Sequence, residues 1–219
     1  MNGVFNPTFE NLPSEIPIFP LTGVLLLPGG KLPLNIFEPR YLSMTSAALG
    51  GDRMIGMIQP TGDNEGVQPS VYRTGCVGRL TSFNETEDGR HLITLSGYIR
   101  FDILEELPLR DGFRTVVPDW TPYQDDLTED DTTGIDRDRM LRSLKGYFAA
   151  NQVDANWDAI KDTPTDQLVT ALAMMCPFQP SEKQALLEAS SLTDRADVMV
   201  ALLEMSLAAN DDTGHRYRN

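Results

Sequence analysis

A chain of 219 residues is long enough for one or two domains with a real core, and its formal charge of −14 disfavours nucleic acid and anionic membranes, which are held by clustered lysine and arginine. Hydrophobic content of 41% and charged content of 23% are those of a soluble globular protein, without the ~18-residue apolar run of a spanning helix. Two distant cysteines exclude a disulfide scaffold, and Met1–Leu12 lacks the basic and apolar regions of a secretory signal, so a cytoplasmic location is expected.

In chain order, Met1–Ser14 reads as an irregular arm laid on the surface. Residues 16–41 follow as three short apolar runs, each closed by proline or glycine. Proline fixes φ and removes a donor, so it belongs at strand starts, edges and bulges. The runs predict strands at Ile16–Phe19, Val24–Leu27 and Leu32–Phe37, with a turn at Pro28-Gly29-Gly30. Pro39 suits a first helical turn, and a helix over Arg40–Leu49 is expected to end on a left-handed glycine at Gly50-Gly51. Met54–Gln59 reads as a buried strand, and Thr61–Ser70 as a loop. Val71–Phe83 is strand-like, with Gly75 and Gly78 marking a bulge or a close backbone approach. Asp88-Gly89 signals a hairpin leading into His91–Ser96; Arg100–Glu106 and Phe113–Val117 supply further strands. Many short strands with one helix suggest a small barrel or two packed sheets.

After Val117 the composition changes. Residues 118–135 carry Asp125, Asp126, Glu129, Asp130 and Asp131, and read as a solvated linker or mobile loop. Their spacing lacks the pattern of a calcium loop. Helical periodicity then appears: Met140, Leu141, Leu144, Tyr147 and Phe148 share one face, and Arg139, Arg142 and Lys145 another. Leu168–Cys176 and Val198–Ala209 are apolar nearly all round, as in a buried bundle. Ser181 with Gln184 forms a candidate capping box, and Thr193 a candidate cap for the last helix. The expected division is a β-domain over 1–118, an acidic linker over 119–135, a helical bundle over 136–209 and a tail over 210–219.

Constellations for catalysis are weak. Asp212-Thr213-Gly214 spells the aspartic protease triplet but sits in a polar tail, whereas that chemistry needs a second carboxylate opposite the first on a buried loop. His91, on an expected strand, and His215, in the tail, build no triad. Cys76, Cys176 and two remote histidines give no zinc spacing, and Cys76 reads as a small buried apolar group. No catalytic residue, metal site or cofactor is expected.

The runs Pro17-Ile18-Phe19-Pro20-Leu21, Leu25-Leu26-Leu27-Pro28-Gly29 and Leu32-Pro33-Leu34-Asn35-Ile36-Phe37-Glu38-Pro39-Arg40-Tyr41 resemble the opening of the N-terminal, substrate-binding domain of Lon proteases. Thr74–Leu80 resembles its central strand, and Leu95-Ser96-Gly97-Tyr98-Ile99-Arg100-Phe101 its L-x-G-x-x-R-F segment. The resemblance is sharp over 16–118 and persists as architecture to about 209. It implies an α+β fold, a PUA-like β pseudo-barrel with one helix followed by a C-terminal helical bundle. It also implies a non-catalytic module that recognises unfolded or apolar polypeptide segments, as a stand-alone bacterial adaptor or regulator of proteolysis. The ATP-binding pattern G-x-x-x-x-G-K-[ST] of a complete Lon is missing, and Lys31, Lys145, Lys161 and Lys183 match no Ser–Lys peptidase domain. An alternative is a PUA-like binder of a small molecule or, against the charge, nucleic acid. Phe37, Glu38, Arg40 and Tyr41 are the candidate ligand-binding residues. They read first as the joint between barrel and helix, with Phe37 packed inward, Glu38 at the helix N-terminus and Arg40 paired to a carboxylate or capping carbonyls.

Overall fold

Apolar runs bounded by proline and glycine set six strands and one α-helix among the described residues of the first part of the chain. The computed structural model describes residues 8–62 and 69–216, with side chains to 208. Met1–Pro7 of the expected arm, 63–68 of the expected loop and the His215 side chain lie outside the described residues. The strands are β1 (Ile16–Pro20), β2 (Lys31–Ile36), β3 (Met54–Ile58), β4 (Thr74–Glu85), β5 (His91–Arg110) and β6 (Phe113–Asp119); α1 (Pro39–Gly50) lies between β2 and β3. They form one mixed sheet in the order β2-β5-β4-β3-β1-β6, and β6 also pairs with β5. Among the described residues only β1 and β3 run parallel, with Ile18 opposite Gly56.

The sheet folds onto itself through one shared strand. Two strands were expected over His91–Ser96 and Arg100–Glu106, but β5 is a single strand of 20 residues. Gly97 and Ile99 keep the ladder intact by pairing with Gly78 and Val77 of β4. The first half of β5 pairs with β2, and the second half with β6. Register shifts against β4 and β6 supply the bends that a strand serving both neighbours needs.

Val24–Leu27 is not a strand. Leu25, Leu26 and Leu27 are all buried, but the run crosses over the face of β5 instead of pairing along an edge. A Cβ on Gly97 would stand 1.9 Å from the Leu27 carbonyl oxygen, so only glycine admits the crossing. Gly29 N–H donates to the Gly97 carbonyl at 3.0 Å, and Gly97 N–H donates to the Gly30 carbonyl at 2.8 Å. Those bonds, with the Gly30-to-Leu27 turn, satisfy backbone that would otherwise be buried unpaired. The same substitution of space for side chain occurs at the core centre. Cβ atoms on Gly56 and Gly75 would lie 2.8 and 2.6 Å from Cζ of the fully buried Phe101. Ile16, Ile18, Met54, Ile58, Val77, Ile99 and Val116 complete that core.

Helix α1 begins at Pro39, with Glu38 as its cap residue. Its end differs from expectation: Gly51 has φ −121, and the left-handed residue is Arg53 at φ 59. Arg53 and Gly51 both donate to the Ala48 carbonyl, so the last-turn acceptor is satisfied without a left-handed glycine.

The chain divides into two units, Met1–Glu129 and Asp130–Asn219. The second holds α2 (Arg137–Ala150), α3 (Trp157–Asp162), α4 (Thr165–Met175), α5 (Pro180–Glu188) and α6 (Leu192–Arg216). Met140, Leu144 and Tyr147 are the buried face of α2, and Gly146 leaves room for Leu207 of α6. Of the expected basic stripe, Arg139 is bound to Glu204 of α6 at 2.8 Å. The expected caps shift by a residue or two. The box on α5 is Gln179 with Glu182, because Gln184 is buried and bonds Glu188. The α6 cap is Ser191, whose hydroxyl accepts from Asp194 N–H at 3.0 Å.

Gly97→Ala should therefore lower the urea midpoint by the equivalent of about 4 kcal/mol or prevent folding, as overpacking against fixed backbone does. Gly50→Ala, with nothing near its Cβ, should stay within about 0.5 kcal/mol of the parent. Equal midpoints for the two variants would contradict the crossing.

Candidate functional site

Strand alternation decides where the signature residues go. β2 ends at Ile36, which takes the buried position, so Phe37 falls on the other side and is 62% exposed. It does not pack inward as expected; the Arg90 guanidinium stands 5.9 Å over its ring. Glu38 occupies the helix cap position, but its carboxylate makes no capping bond. It instead accepts from Arg40 Nε at 3.0 Å, in an exposed pair. Tyr41, in the first turn of α1, is 7% exposed and its ring centroid lies 4.3 Å from that of Phe19. The Arg40 guanidinium also lies over this ring, 4.5 Å from its centroid. Burial raises the Tyr41 hydroxyl above its ordinary range, against the opposing pull of Arg40 and Arg114.

Arg40 and Tyr41 form one wall of a cleft of about 320 Å³. Pro20 and Leu21 follow β1, Pro60 and Pro69 flank the 61–68 stretch, and Leu109, Phe113 and Arg114 come from the β5–β6 hairpin. Glu38 is not part of the lining, and Phe37 lies elsewhere. Of the four candidate residues, two thus meet at a cavity, one braces Arg40 from outside, and one stands apart. Arg114 is the second cationic residue of the lining. It is buried and donates from Nε to Glu106 Oε2 at 3.0 Å, from Nη2 to Glu106 Oε1, and from Nη1 to the Pro69 carbonyl at 2.8 Å. Sequence reasoning missed Arg114 and Leu109. The available signal was a lone charge at Arg114, in a strand with buried neighbours on both sides.

A second arrangement corrects the reading of 118–135. Thr121–Leu127 is a 3-10 helix, and Asp126 is not solvated. Its carboxylate accepts from the Arg100 backbone N–H and from Arg100 Nε, both at 2.9 Å, and from Nη2 at 2.7 Å. The two side chains are 6% and 8% exposed. Burial alone would lower the Arg100 pKa, but the Asp126 bonds outweigh it and hold it raised. Tyr123 lies under the same guanidinium at 4.7 Å, and its hydroxyl donates to Asp102 at 2.8 Å. This is a structural lock. A carboxylate saturated by a guanidinium and a backbone donor has no capacity left for chemistry.

Both cysteines are closed off by burial. Cys76 is fully buried, as expected. Cys176 is also buried, and burial pushes its thiol up to about 11. Asp212–Gly214 lies within α6, so its backbone is helical and not a loop. Among the described residues no group of three His, Cys, Asp or Glu is placed to hold a metal. No described helix is long and apolar enough to cross a membrane.

A family model described as the ATP-dependent protease La (LON) substrate-binding domain matches residues 15–205. The chain belongs to the Lon substrate-binding domain family. Among its relatives are the Lon protease of Parabacteroides distasonis, 26% identical over 91% of this chain, and Lon protease 2 of Myxococcus xanthus, 24% identical over 89%. The chain spans about a quarter of the length of these curated relatives. The fold is that of solved Lon N-terminal domains. A Lon N-terminal domain protein from Xanthomonas campestris superposes with a TM-score of 0.60 at 20% identity, covering 86% of this chain and 98% of that one. The N-terminal domain of a Mycobacterium avium complex Lon protease gives 0.61 at 15% identity, covering 87% and 98%. The α+β fold expected from the Lon resemblance is thus present, as a mixed sheet closed by one long shared strand and not as a barrel of equal staves.

Three measurements probe the site. Tyr41→Ala should cost about 3–5 kcal/mol in denaturant unfolding, as for a buried aromatic, whereas Arg40→Gln should cost under about 1 kcal/mol because its pair is exposed. Asp126→Ala should cost about 3–5 kcal/mol by stranding a buried guanidinium; a midpoint like the parent's would return 118–135 to solvent. For Cys176, a thiol raised from 9.0 to about 11 carries about a hundredfold less thiolate near pH 8, so iodoacetamide should label it at least that much more slowly than in urea-unfolded chain.

Proposed function

We propose that this chain is a non-catalytic polypeptide-recognition module that binds unfolded or apolar segments and serves proteolysis as an adaptor or regulator. The observation that carries the reading is the cleft at Arg40 and Tyr41, an apolar cavity framed by the signature that also identifies the family. Pro20, Leu21, Pro60, Leu109 and Phe113 supply apolar wall, and Leu109 is 49% exposed at the rim, where an incoming side chain would cover it. The same reading leaves chemistry to other chains. This sequence contains no G-x-x-x-x-G-K-[ST] loop, and the family match is to a substrate-binding domain. The surrounding acidity favours basic-apolar segments over acidic ones, a preference that salt screens.

Fluorescence anisotropy of labelled unstructured peptides against the full chain tests this. Micromolar binding, about −8 kcal/mol, is expected, without nucleotide and weakened by Leu109→Glu. Incubation with ATP, magnesium and casein should give neither phosphate nor fragments. Absence of any peptide binding at ~100 µM, where a micromolar site would be saturated, removes polypeptide recognition from consideration.

A further inference from the structure

The cleft carries a charge pattern opposite to that of the molecule. The chain has a formal charge of −14, yet the charged side chains lining this cavity are Arg40 and Arg114, and no acidic side chain lines it among the described residues. Their carboxylate partners, Glu38 and Glu106, approach from outside the lining. Both guanidinium groups keep donors in hand. The bonds of Arg114 to Glu106 and Pro69 engage three of the five N–H groups of a guanidinium, leaving one on each Nη. Arg40 is hydrogen-bonded through Nε and Nη2, in an exposed pair that breaks at little cost, and its guanidinium lies over the Tyr41 ring. Both arginines line the one cavity, and Arg40 Cβ lies 3.3 Å from where a Cβ on Gly112 would stand, two residues before Arg114. The rest of the wall is proline, leucine and phenylalanine, and about 320 Å³ is at the small end of ligand sites of roughly 300–1,000 Å³. A cavity of that size accepts one apolar residue and its backbone, not a long segment.

We infer that the cleft is a site for the C-terminal residue of a polypeptide, an apolar side chain entering between Leu21, Leu109 and Phe113 while the terminal carboxylate is bound by Arg40 and Arg114. This rests on the polypeptide reading above and narrows it to chain ends. An internal residue offers only neutral amide carbonyls to two guanidinium groups, whereas a terminal carboxylate brings the opposite charge and two oxygens that match the fork of a guanidinium. Arg114, locked on the Pro69 carbonyl and Glu106, is the fixed half of the clamp; Arg40, on the first turn of α1, is the half that swings from Glu38 to the ligand.

The test uses a fluorescein-labelled unstructured peptide ending in leucine, its C-terminal amide twin, and unlabelled N-acetyl-leucine, titrated against the full chain and against Arg40→Gln and Leu109→Ala. The free acid should bind about tenfold more tightly than the amide, from the charge that only the acid carries. Arg40→Gln should abolish most of that ratio by weakening the acid far more than the amide, with a urea midpoint close to the parent's. Leu109→Ala should weaken both peptides alike. Equal affinity of acid and amide would overturn recognition of the terminus while leaving polypeptide binding intact; no binding of either would overturn both. A ratio that survives Arg40→Gln would place the carboxylate elsewhere and sink the assignment. Competition by N-acetyl-leucine as effective as that of the peptide would reassign the cleft to free apolar acids.

Discussion

The first unit is built around a place where no side chain can exist. At Gly97 the carbonyl oxygen of Leu27 comes so near the Cα that any Cβ would overlap it, and two backbone hydrogen bonds fix the approach. That contact holds the 24–30 segment over the middle of β5, which brings Leu25, Leu26 and Leu27 into the core and aims β2 along the near edge of the same strand. β2 in turn delivers the chain to Pro39, the start of α1, and so to Arg40 and Tyr41. The position of the cleft is therefore inherited from a single close approach, about as local a constraint as a fold can have.

Much of this was readable in the residues. Proline and glycine punctuation located β1, β2, β3 and α1, because those residues change what the backbone itself can do. The failures have a common cause. Val24–Leu27 has strand composition but crosses a face, and composition does not record which partner a backbone finds. Residues 91–106 read as two strands, but tertiary pairing carries the ladder through Gly97. Asp126 read as solvated among its acidic neighbours, and only the fold brings Arg100 to it. The candidate site was half legible for the same reason. Arg40 and Tyr41 are neighbours on a helix turn, but Arg114 reaches the cleft through sheet closure, which leaves no trace at short range.

Charge is handled differently at the two arginine sites. At Arg100, one carboxylate meets the guanidinium and the backbone together, and the surroundings are closed to water. Such a pair gains little over an apolar pair of the same size, but punishes any arrangement that separates its members, so it selects one closure of the sheet over its competitors. At Arg40 the pair is open to solvent and weak, and its members separate without injury to the fold. Rigidity and availability are thus assigned to different arginines by burial alone.

The lock at Asp126 also sets how far the unit reaches beyond its own sheet. β6 ends at Asp119, yet the carboxylate that meets Arg100 of β5 stands seven residues further on, in the short helix after the last strand. A piece of the chain cut after Asp119 would carry the six described strands and lack the carboxylate that the Arg100 guanidinium and backbone N–H both meet. The boundary of the unit is therefore drawn by an ion pair and not by the end of its last strand.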